Sequence, residues 1–170
     1  MPLFDAVIPG TTKILTNMEG WLGKATAFAE SRDFSPDRFL SFRLAPGMFA
    51  FDRNVQAACD TAKFAAARVT GKDAPSYPDE ESTMVELVER IQKTRTYLEG
   101  FTPADFEGAD SRVVPLPFAK GKGAVAGEYL NGFALPNFFF HATTVYAILR
   151  HGGVELGKRD YLGSLDMVDL

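Results

Sequence analysis

The stretch LPNFFFHATTVYAILRH, at positions 135–151, decides the fold of this chain. Its apolar residues recur at steps of three and four, which places Phe138 and Val145 on one face of an amphipathic helix. His141 lies on the same face, so the spacing predicts a histidine that points into a hydrophobic core. Pro136 has no backbone N–H to donate, and we expect it to kink the helix or to split it, with the main part beginning near Pro136.

Three earlier stretches show the same helical period. We expect one long helix over residues 11–30, a second over residues 51–69 that stops at Gly71, and a third after the capping box Thr83-x-x-Glu86. The second helix is rich in alanine, and small side chains let a neighbouring helix approach closely, so it should be central. Four long amphipathic helices predict an all-α fold, a four-helix bundle, and the long connections before the second and fourth helices allow crossovers.

The period changes to two before the last helix. Val114, Leu116 and Phe118 alternate with Pro115 and Pro117. Proline restricts such a segment to an edge strand or an extended arm. Glycines at positions 121 and 123 mark a turn, and residues 124–126 can return as a second strand. We therefore expect a small β-hairpin laid against the bundle.

Size and charge narrow the class of protein. The 170 residues match one domain, so we expect residues 1–170 to form a single helical-bundle domain. The net charge of −4 disfavours nucleic acid as a partner, because phosphate binding needs a basic face. There is no basic segment followed by an apolar run at the N-terminus, and no apolar stretch of roughly 18 residues. We expect no signal peptide, no membrane partner and a cytoplasmic location. Cys59 is the one cysteine, which excludes an internal disulfide.

Two polar residues of the last helix form the first candidate site. Asn137 lies one helical turn before His141, and side chains at this spacing are neighbours. One interpretation makes them two polar groups in a bundle pocket that bind a ligand, hold a metal or move a proton. The other makes His141 a buried histidine that is hydrogen-bonded to a neighbour. Some partner is needed in either case, because an unpaired buried nitrogen costs about 1–3 kcal/mol.

Polar residues of the second helix form the next candidate. Asp52, Gln56 and Asp60 follow one another at steps of four, and Lys63 comes next. Such a stripe is typical of a solvent-exposed face, with Asp60 and Lys63 as a helical ion pair. If the stripe lines the bundle interior instead, Asp60 becomes a possible metal ligand or base, with Gln56 beside it.

The run Phe138-Phe139-Phe140 covers nearly the whole circumference of a helix, which predicts a helix buried on most sides. Either this helix occupies the centre of the bundle, or one of its faces meets another subunit. A homodimer is therefore expected.

The stretch at positions 135–151, together with GKRDYLG at 157–163 and VQAACDTAK at 55–63, resembles a bacterial family of uncharacterised proteins. That family is grouped with the DinB/YfiT-like superfamily, and the resemblance covers nearly the whole chain. It implies a four-helix bundle of unusual connectivity that is often dimeric. This agrees with the fold that the periodicity predicts.

The superfamily resemblance also implies a metal site, which many members build from three histidines. One comes from the second long helix and two from a His-x-x-x-His pair on the last. Here the second helix has no histidine, and Asn137 and Val145 stand four residues before and after His141. Zinc normally takes at least three protein ligands, so His141 with Asp60 is a weak set. Thiol-transfer activity belongs to members that keep the metal and is not carried over.

Two hypotheses follow for the function. The first is an uncharacterised DinB-like bundle protein without a cofactor, non-catalytic or binding a small ligand, with Asn137, His141, Asp60 and Gln56 as pocket residues. The alternative is a metal-dependent enzyme of the DinB/YfiT-like type, in which His141 and the second-helix carboxylate Asp60 hold a divalent metal.

Overall fold

The computed structural model describes residues 2–116 and 118–168. Four long helices confirm the predicted bundle: α1 Leu3–Glu30, α2 Phe51–Thr70, α3 Met84–Glu99 and α5 Leu135–His151. A short helix, α4 Ala126–Tyr129, precedes α5. A last short helix, α6 Lys158–Leu162, follows α5. Short 3-10 helices at Pro36–Ser41, Pro103–Phe106 and Ala109–Ser111 fill the connections.

The first helix begins earlier than the sequence predicts. It starts at Leu3 instead of near Thr11 and contains Pro9 in its second turn. Val7 and Ile8 are buried against the core, and this burial offsets the backbone hydrogen bond that Pro9 cannot make. The core therefore extends the helix through a residue that would otherwise end it.

The predicted ends of α2 and α3 are confirmed. Gly71 takes the left-handed conformation after α2, with φ at 75°, and its N–H donates to the Ala67 carbonyl. The backbone N–H of Glu86 donates to Thr83 Oγ1 at 3.2 Å, and the Glu86 carboxylate accepts from the Thr83 N–H at 3.0 Å. Local capping chemistry thus fixes both ends of the connection between these helices.

Pro136 splits the last helical segment as predicted. It lies in the first turn of α5, and the chain between α4 and α5, Leu130–Ala134, forms a π-helical turn. Because proline has no N–H for the carbonyl four residues earlier, at Gly132, the wider turn lies where an α-helical bond is missing. Phe133 lies within this turn, and Tyr129 lies directly before it.

Within a single chain, the three phenylalanines are not buried on most sides. Phe138 is fully buried, whereas Phe139 is 37% exposed and Phe140 is 56% exposed. The α5 helix packs against α2 and α1, and Thr143 and Tyr146 contact Tyr161 of α6. The other side of α5 is an uncovered apolar face.

The predicted β-hairpin is present. Strand β1, Val113–Pro115, pairs antiparallel with β2, Gly123–Val125, and Val114 lies opposite Ala124. Val114 is fully buried, so the hairpin packs on the bundle through this residue. Pro117, which the sequence places in the same extended arm, lies outside the described residues.

The buried apolar residues of all four long helices join in one cluster, and α2 has its most extensive packing with α5 and α3. Fully buried alanines at positions 58, 62 and 66 give α2 the small-residue surface that a central helix needs. Across residues 2–116 and 118–168, no helix is long and apolar enough to span a bilayer.

Candidate functional site

A cavity of about 340 Å³ opens between α2 and the segment that runs from α4 into α5. On the α2 side it is lined by a stripe at helical spacing: Arg53, Gln56, Asp60, Phe64 and Arg68. On the opposite side it is lined by residues at steps of four: Tyr129, Phe133 and Asn137. Asp79 from the linker and Phe118 from the hairpin complete the rim. Its volume lies in the range of small-molecule pockets.

Three of the four residues that the sequence singles out therefore meet at one cavity. Gln56 and Asp60 line it from α2, and Asn137 lines it from α5. His141 is not part of its lining and lies one turn further along α5, against Asn54. The sequence left open whether the α2 stripe faces solvent or the interior; Gln56 and Asp60 of that stripe line this cavity, whereas Asp52 and Lys63 do not.

Asn137 is held in a fixed orientation. Its Nδ2 donates to Thr61 Oγ1 at 2.8 Å, and that hydroxyl donates in turn to the Ala57 carbonyl at 2.7 Å. Within the described part of the chain, no donor reaches the amide oxygen of Asn137. The residue therefore presents a hydrogen-bond acceptor at the cavity.

Arg68 and Tyr129 meet at the other end of the cavity lining. Arg68 Nη1 donates to the Tyr129 hydroxyl at 3.2 Å, and the guanidinium lies 4.8 Å from the centre of the Phe64 ring. Tyr129 is 2% exposed. Its own hydroxyl hydrogen finds no acceptor in residues 2–116 and 118–168.

Behind the cavity, a charged network surrounds Arg90 of α3, whose side chain is 1% exposed. Arg90 Nη1 donates to the Pro78 carbonyl at 3.0 Å and to Glu81 at 2.9 Å. Nη2 lies 3.0 Å from a carboxylate oxygen of Asp60 and 3.0 Å from one of Asp79. Burial acts to lower the pKa of Arg90, but the bond to Glu81 and the neighbouring carboxylates outweigh it and raise the pKa. Arg90 is therefore a permanent buried cation.

Lys63 and Arg53 complete the network. The Lys63 side chain is 1% exposed, and its Nζ lies 2.9 Å from Asp60. Arg53 pairs with Asp79 and donates to Gln56 Oε1 at 2.8 Å, while Gln56 Nε2 donates to Glu81 at 2.8 Å. Burial acts to raise the pKa of Asp79, but its bond to Arg53 and the charges of both arginines hold the pKa below its usual value. Asp60 and Gln56 are thus both engaged by protein partners.

The sequence reasoning predicted the ion pair of Lys63 with Asp60, which is present, but it missed Arg53 and Arg90. Arg90 falls three residues after Leu87 and four before Thr94, on the inward stripe of α3, and both neighbours are buried. A charged residue on an apolar stripe is the signal that would have found it, since buried charges require partners. The partners come from residues 78–81, whose path no local pattern predicts.

His141 is buried, as its place on the apolar face predicts, and is 8% exposed. Asn54 Nδ2 donates to the carbonyls of Phe49 and Ala50, so Asn54 Oδ1 is an acceptor and His141 Nδ1, 2.9 Å away, carries the hydrogen. Burial lowers the pKa of His141 from 6.5, which favours the neutral ring. The histidine and Asn54 together hold the turn that leads into α2.

The donors do not suit a metal ion. His141 lies outside the cavity lining, against Asn54, whereas Asp60, on the cavity wall, is paired with Lys63 and Arg90. In the residues that the structure describes, no three His, Cys, Asp or Glu side chains are grouped so as to hold a metal. Cys59 is fully buried, and burial raises the pKa of its thiol to about 12. The thiolate form that binds metals or attacks electrophiles is therefore suppressed.

The four long helices and the small hairpin define a helical-bundle protein. A crystal structure of a DinB family member protein from Shewanella denitrificans, at 1.83 Å resolution, is similar with a TM-score of 0.95 and 44% sequence identity. The similarity covers 99% of this chain and 96% of that one. Residues 3–162 match the family described as "Domain of unknown function (DUF1993)", and the chain belongs to this family. A comparison with curated proteins finds no match.

Proposed function

We propose that this DinB-like protein is a non-catalytic binding protein that holds a small organic molecule in the cavity between α2 and Tyr129–Asn137. The observation that carries the proposal is a difference among the polar groups of the cavity: some have hydrogen-bonding atoms that no protein group uses, and others are paired with protein groups. Asn137 and Tyr129 present unused hydrogen-bonding atoms at the cavity, which would orient a ligand. Asp60, the one predicted base there, is held by two cations. We place this function in the cytoplasm, the compartment that the composition predicts.

A cavity-filling variant tests the binding proposal. Ala57 lines the cavity and lies within α2, so Ala57→Leu fills the space while keeping a good helix former. Wild-type protein is screened for small molecules that raise its melting temperature. A ligand at about 100 times its Kd stabilises by about 2.7 kcal/mol, which corresponds to roughly 5–11 °C for a chain of this size.

The Ala57→Leu variant should lose these shifts, whereas Ala27→Leu, on the exposed side of α1, should keep them. Equal shifts in the wild type and Ala57→Leu would place the ligand elsewhere. A library that stabilises neither protein would contradict the binding function itself.

The alternative function is a metal-dependent enzyme that uses His141 and Asp60. The geometry disfavours it, because Asp60 lines the cavity and His141 does not, and Asp60 is paired with two cations. Elemental analysis of protein purified without a histidine tag distinguishes the two functions. Stoichiometric zinc, nickel or manganese, with a melting temperature that falls on addition of chelator, would favour the enzyme.

We also propose a homodimer formed through the uncovered face of α5. Phe139 and Phe140, with Leu44, Met48 and neighbouring threonines, line a groove that contains no charged residue. Phe49, which is 54% exposed, stacks on His141 beside it. In a two-fold dimer the same patch meets itself, and an uncharged apolar patch can do so without burying a charge.

The oligomeric state is measured by light scattering on a sizing column. We expect twice the chain mass of 18.6 kDa for the wild type and a single chain mass for Phe140→Glu. Val85→Glu serves as the control, because Val85 is 68% exposed on α3, outside this face. A wild-type monomer, or equal dissociation of both variants, would overturn the proposed interface.

A further inference from the structure

We propose that the cavity selects small organic acids, with the acid group held by Arg68 and Tyr129 and a flat apolar body between the aromatic walls. This inference rests on the binding function proposed above and names the chemical class of the ligand. It follows from the charge balance of the wall, the unused donor of Tyr129 and the placement of the aromatic rings.

Arg68 is the cation that remains when the other cations around the cavity are matched with carboxylates. In the network behind the cavity, the three cations Arg53, Lys63 and Arg90 meet three carboxylates, those of Asp60, Asp79 and Glu81. Arg68 makes no ion pair with any acidic side chain in residues 2–116 and 118–168. Arg68 is therefore a cation of the cavity wall without an acidic partner among the described residues, and an anion is the ligand that would pair with it.

Tyr129 supplies a second donor at the same place. Its hydroxyl oxygen accepts from Arg68 at 3.2 Å, and the side chain is almost fully buried. The hydroxyl hydrogen has no acceptor among the described residues, although buried donors are nearly always paired. An acid oxygen at the cavity end could accept from both Tyr129 and Arg68, and hydrogen bonds to a charged group are the stronger kind.

Aromatic rings shape the rest of the space. Phe64 lies under the Arg68 guanidinium, Phe133 lies 6.0 Å from the Tyr129 ring, and Phe118 lies 4.8 Å from Phe133. Such walls favour a flat apolar body. The volume of about 340 Å³ equals that of about eleven waters at roughly 30 Å³ each, which fits a one- or two-ring acid. The oxygen of Asn137 would accept from a hydroxyl or amine on that body.

The test is isothermal titration calorimetry with acids paired with their neutral amides. The probes are 4-hydroxybenzoate, phenylacetate, indole-3-acetate and octanoate, each beside its amide. We expect at least one acid to bind, its amide to bind about 10–100-fold more weakly, and added salt to weaken the acid alone. Arg68→Met should abolish the preference for the acid, Arg68→Lys should keep part of it, and Tyr129→Phe should weaken the acid about tenfold.

Arg32→Met is the matched control, because Arg32 lies over the Phe28 ring at 5.4 Å, much as Arg68 lies over Phe64, but outside the cavity. It should leave binding unchanged. Amides that bind as tightly as their acids, or acid binding that survives Arg68→Met, would overturn the acid class while leaving the binding function intact. A cavity that takes none of the acids or amides, in a protein whose thermal screen also finds no stabilising molecule, would overturn both.

Discussion

Replacing Arg90 with methionine tests the buried network directly. Methionine keeps an unbranched stem about as long as the aliphatic part of arginine but removes the cation that holds residues 78–81 against α2 and α3. Breaking a buried ion pair by removing one partner costs about 3–5 kcal/mol, because the other charge stays buried and uncompensated. The remaining contacts decide where in that range this variant falls.

Two of the three carboxylates keep a cation when Arg90 is lost. Asp60 retains Lys63 at 2.9 Å, and Asp79 retains Arg53. Glu81, whose side chain is 13% exposed, loses its ion pair and keeps the amide of Gln56. Among the described residues, Nε and Nη2 of Arg90 and Oδ1 of Asp60 are buried without a hydrogen-bond partner, which lowers what the wild-type network contributes. We therefore expect about 3 kcal/mol, at the low end of the range.

The measurement is urea unfolding followed by circular dichroism, with calorimetry for the melting temperature. A loss of about 3 kcal/mol corresponds to a fall of roughly 6–12 °C for a chain of this size. Arg95→Met is the control on the same helix, since Arg95 is 28% exposed and pairs with Glu19 at 2.8 Å. A partly exposed pair of this kind contributes about 1 kcal/mol or less.

A double-mutant cycle separates the ion pair from packing. Adding Glu81→Gln to Arg90→Met removes the uncompensated carboxylate, so the double variant should be less destabilised than the sum of the single variants by about 1 kcal/mol or more. The reasoning fails if Arg90→Met costs no more than Arg95→Met. It also fails if the cycle shows no coupling between Arg90 and Glu81.

Three further predictions concern single residues. Burial lowers the pKa of His141, so the unfolded chain takes up this proton first as the pH falls through 6.5. This uptake lowers the stability of the folded protein, and the loss is absent well above pH 6.5. Urea titrations should therefore show that wild type and His151→Asn lose more stability between pH 7.5 and 5.5 than His141→Asn does. Because burial raises the pKa of Cys59 to about 12, Ellman's reagent should label the thiol only on unfolding, and fast labelling of native protein at pH 8 would contradict this. Gly71 has a φ of 75°, so Gly71→Ala should lower the free energy of unfolding in urea by about 1–2 kcal/mol. Gly20 lies in open space on α1, so Gly20→Ala should raise it by about 0.5–1 kcal/mol. An equal effect of the two changes would show that the backbone conformation is not the cause.

Helix ends were predictable where the signal is local. Thr83 and Glu86 cap α3 with their own side chains, and Gly71 supplies a conformation that other residues resist. The start of α1 was less predictable, because Pro9 argues locally against a helix that only the burial of Val7 and its neighbour sustains. Tertiary packing decides such a position, and a sequence window does not contain it.

In the candidate site, too, some features follow from local sequence and others depend on tertiary packing. Gln56, Asp60 and Asn137 could be picked out because helical spacing places each on a defined face. The partner of His141 is Asn54, 87 residues away in the chain, and no spacing rule connects the two. Arg68 and Tyr129 meet although 61 residues separate them in the chain. Sequence patterns thus predict which face a residue occupies, whereas its partner depends on the paths of the connections.

Stability and ligand selectivity are linked through Arg90. Asp60 and Asp79 line the cavity, and Arg90 behind them balances part of their charge. If the ligand is an acid, Arg90→Met should weaken its binding because these carboxylates then repel it, while the matched amide should be affected less. Titration calorimetry at a temperature where the variant remains folded measures this difference. An equal loss for acid and amide would mean that Arg90 supports only the shape of the cavity, and the charge of its wall would then be set by Arg68 without help from the network.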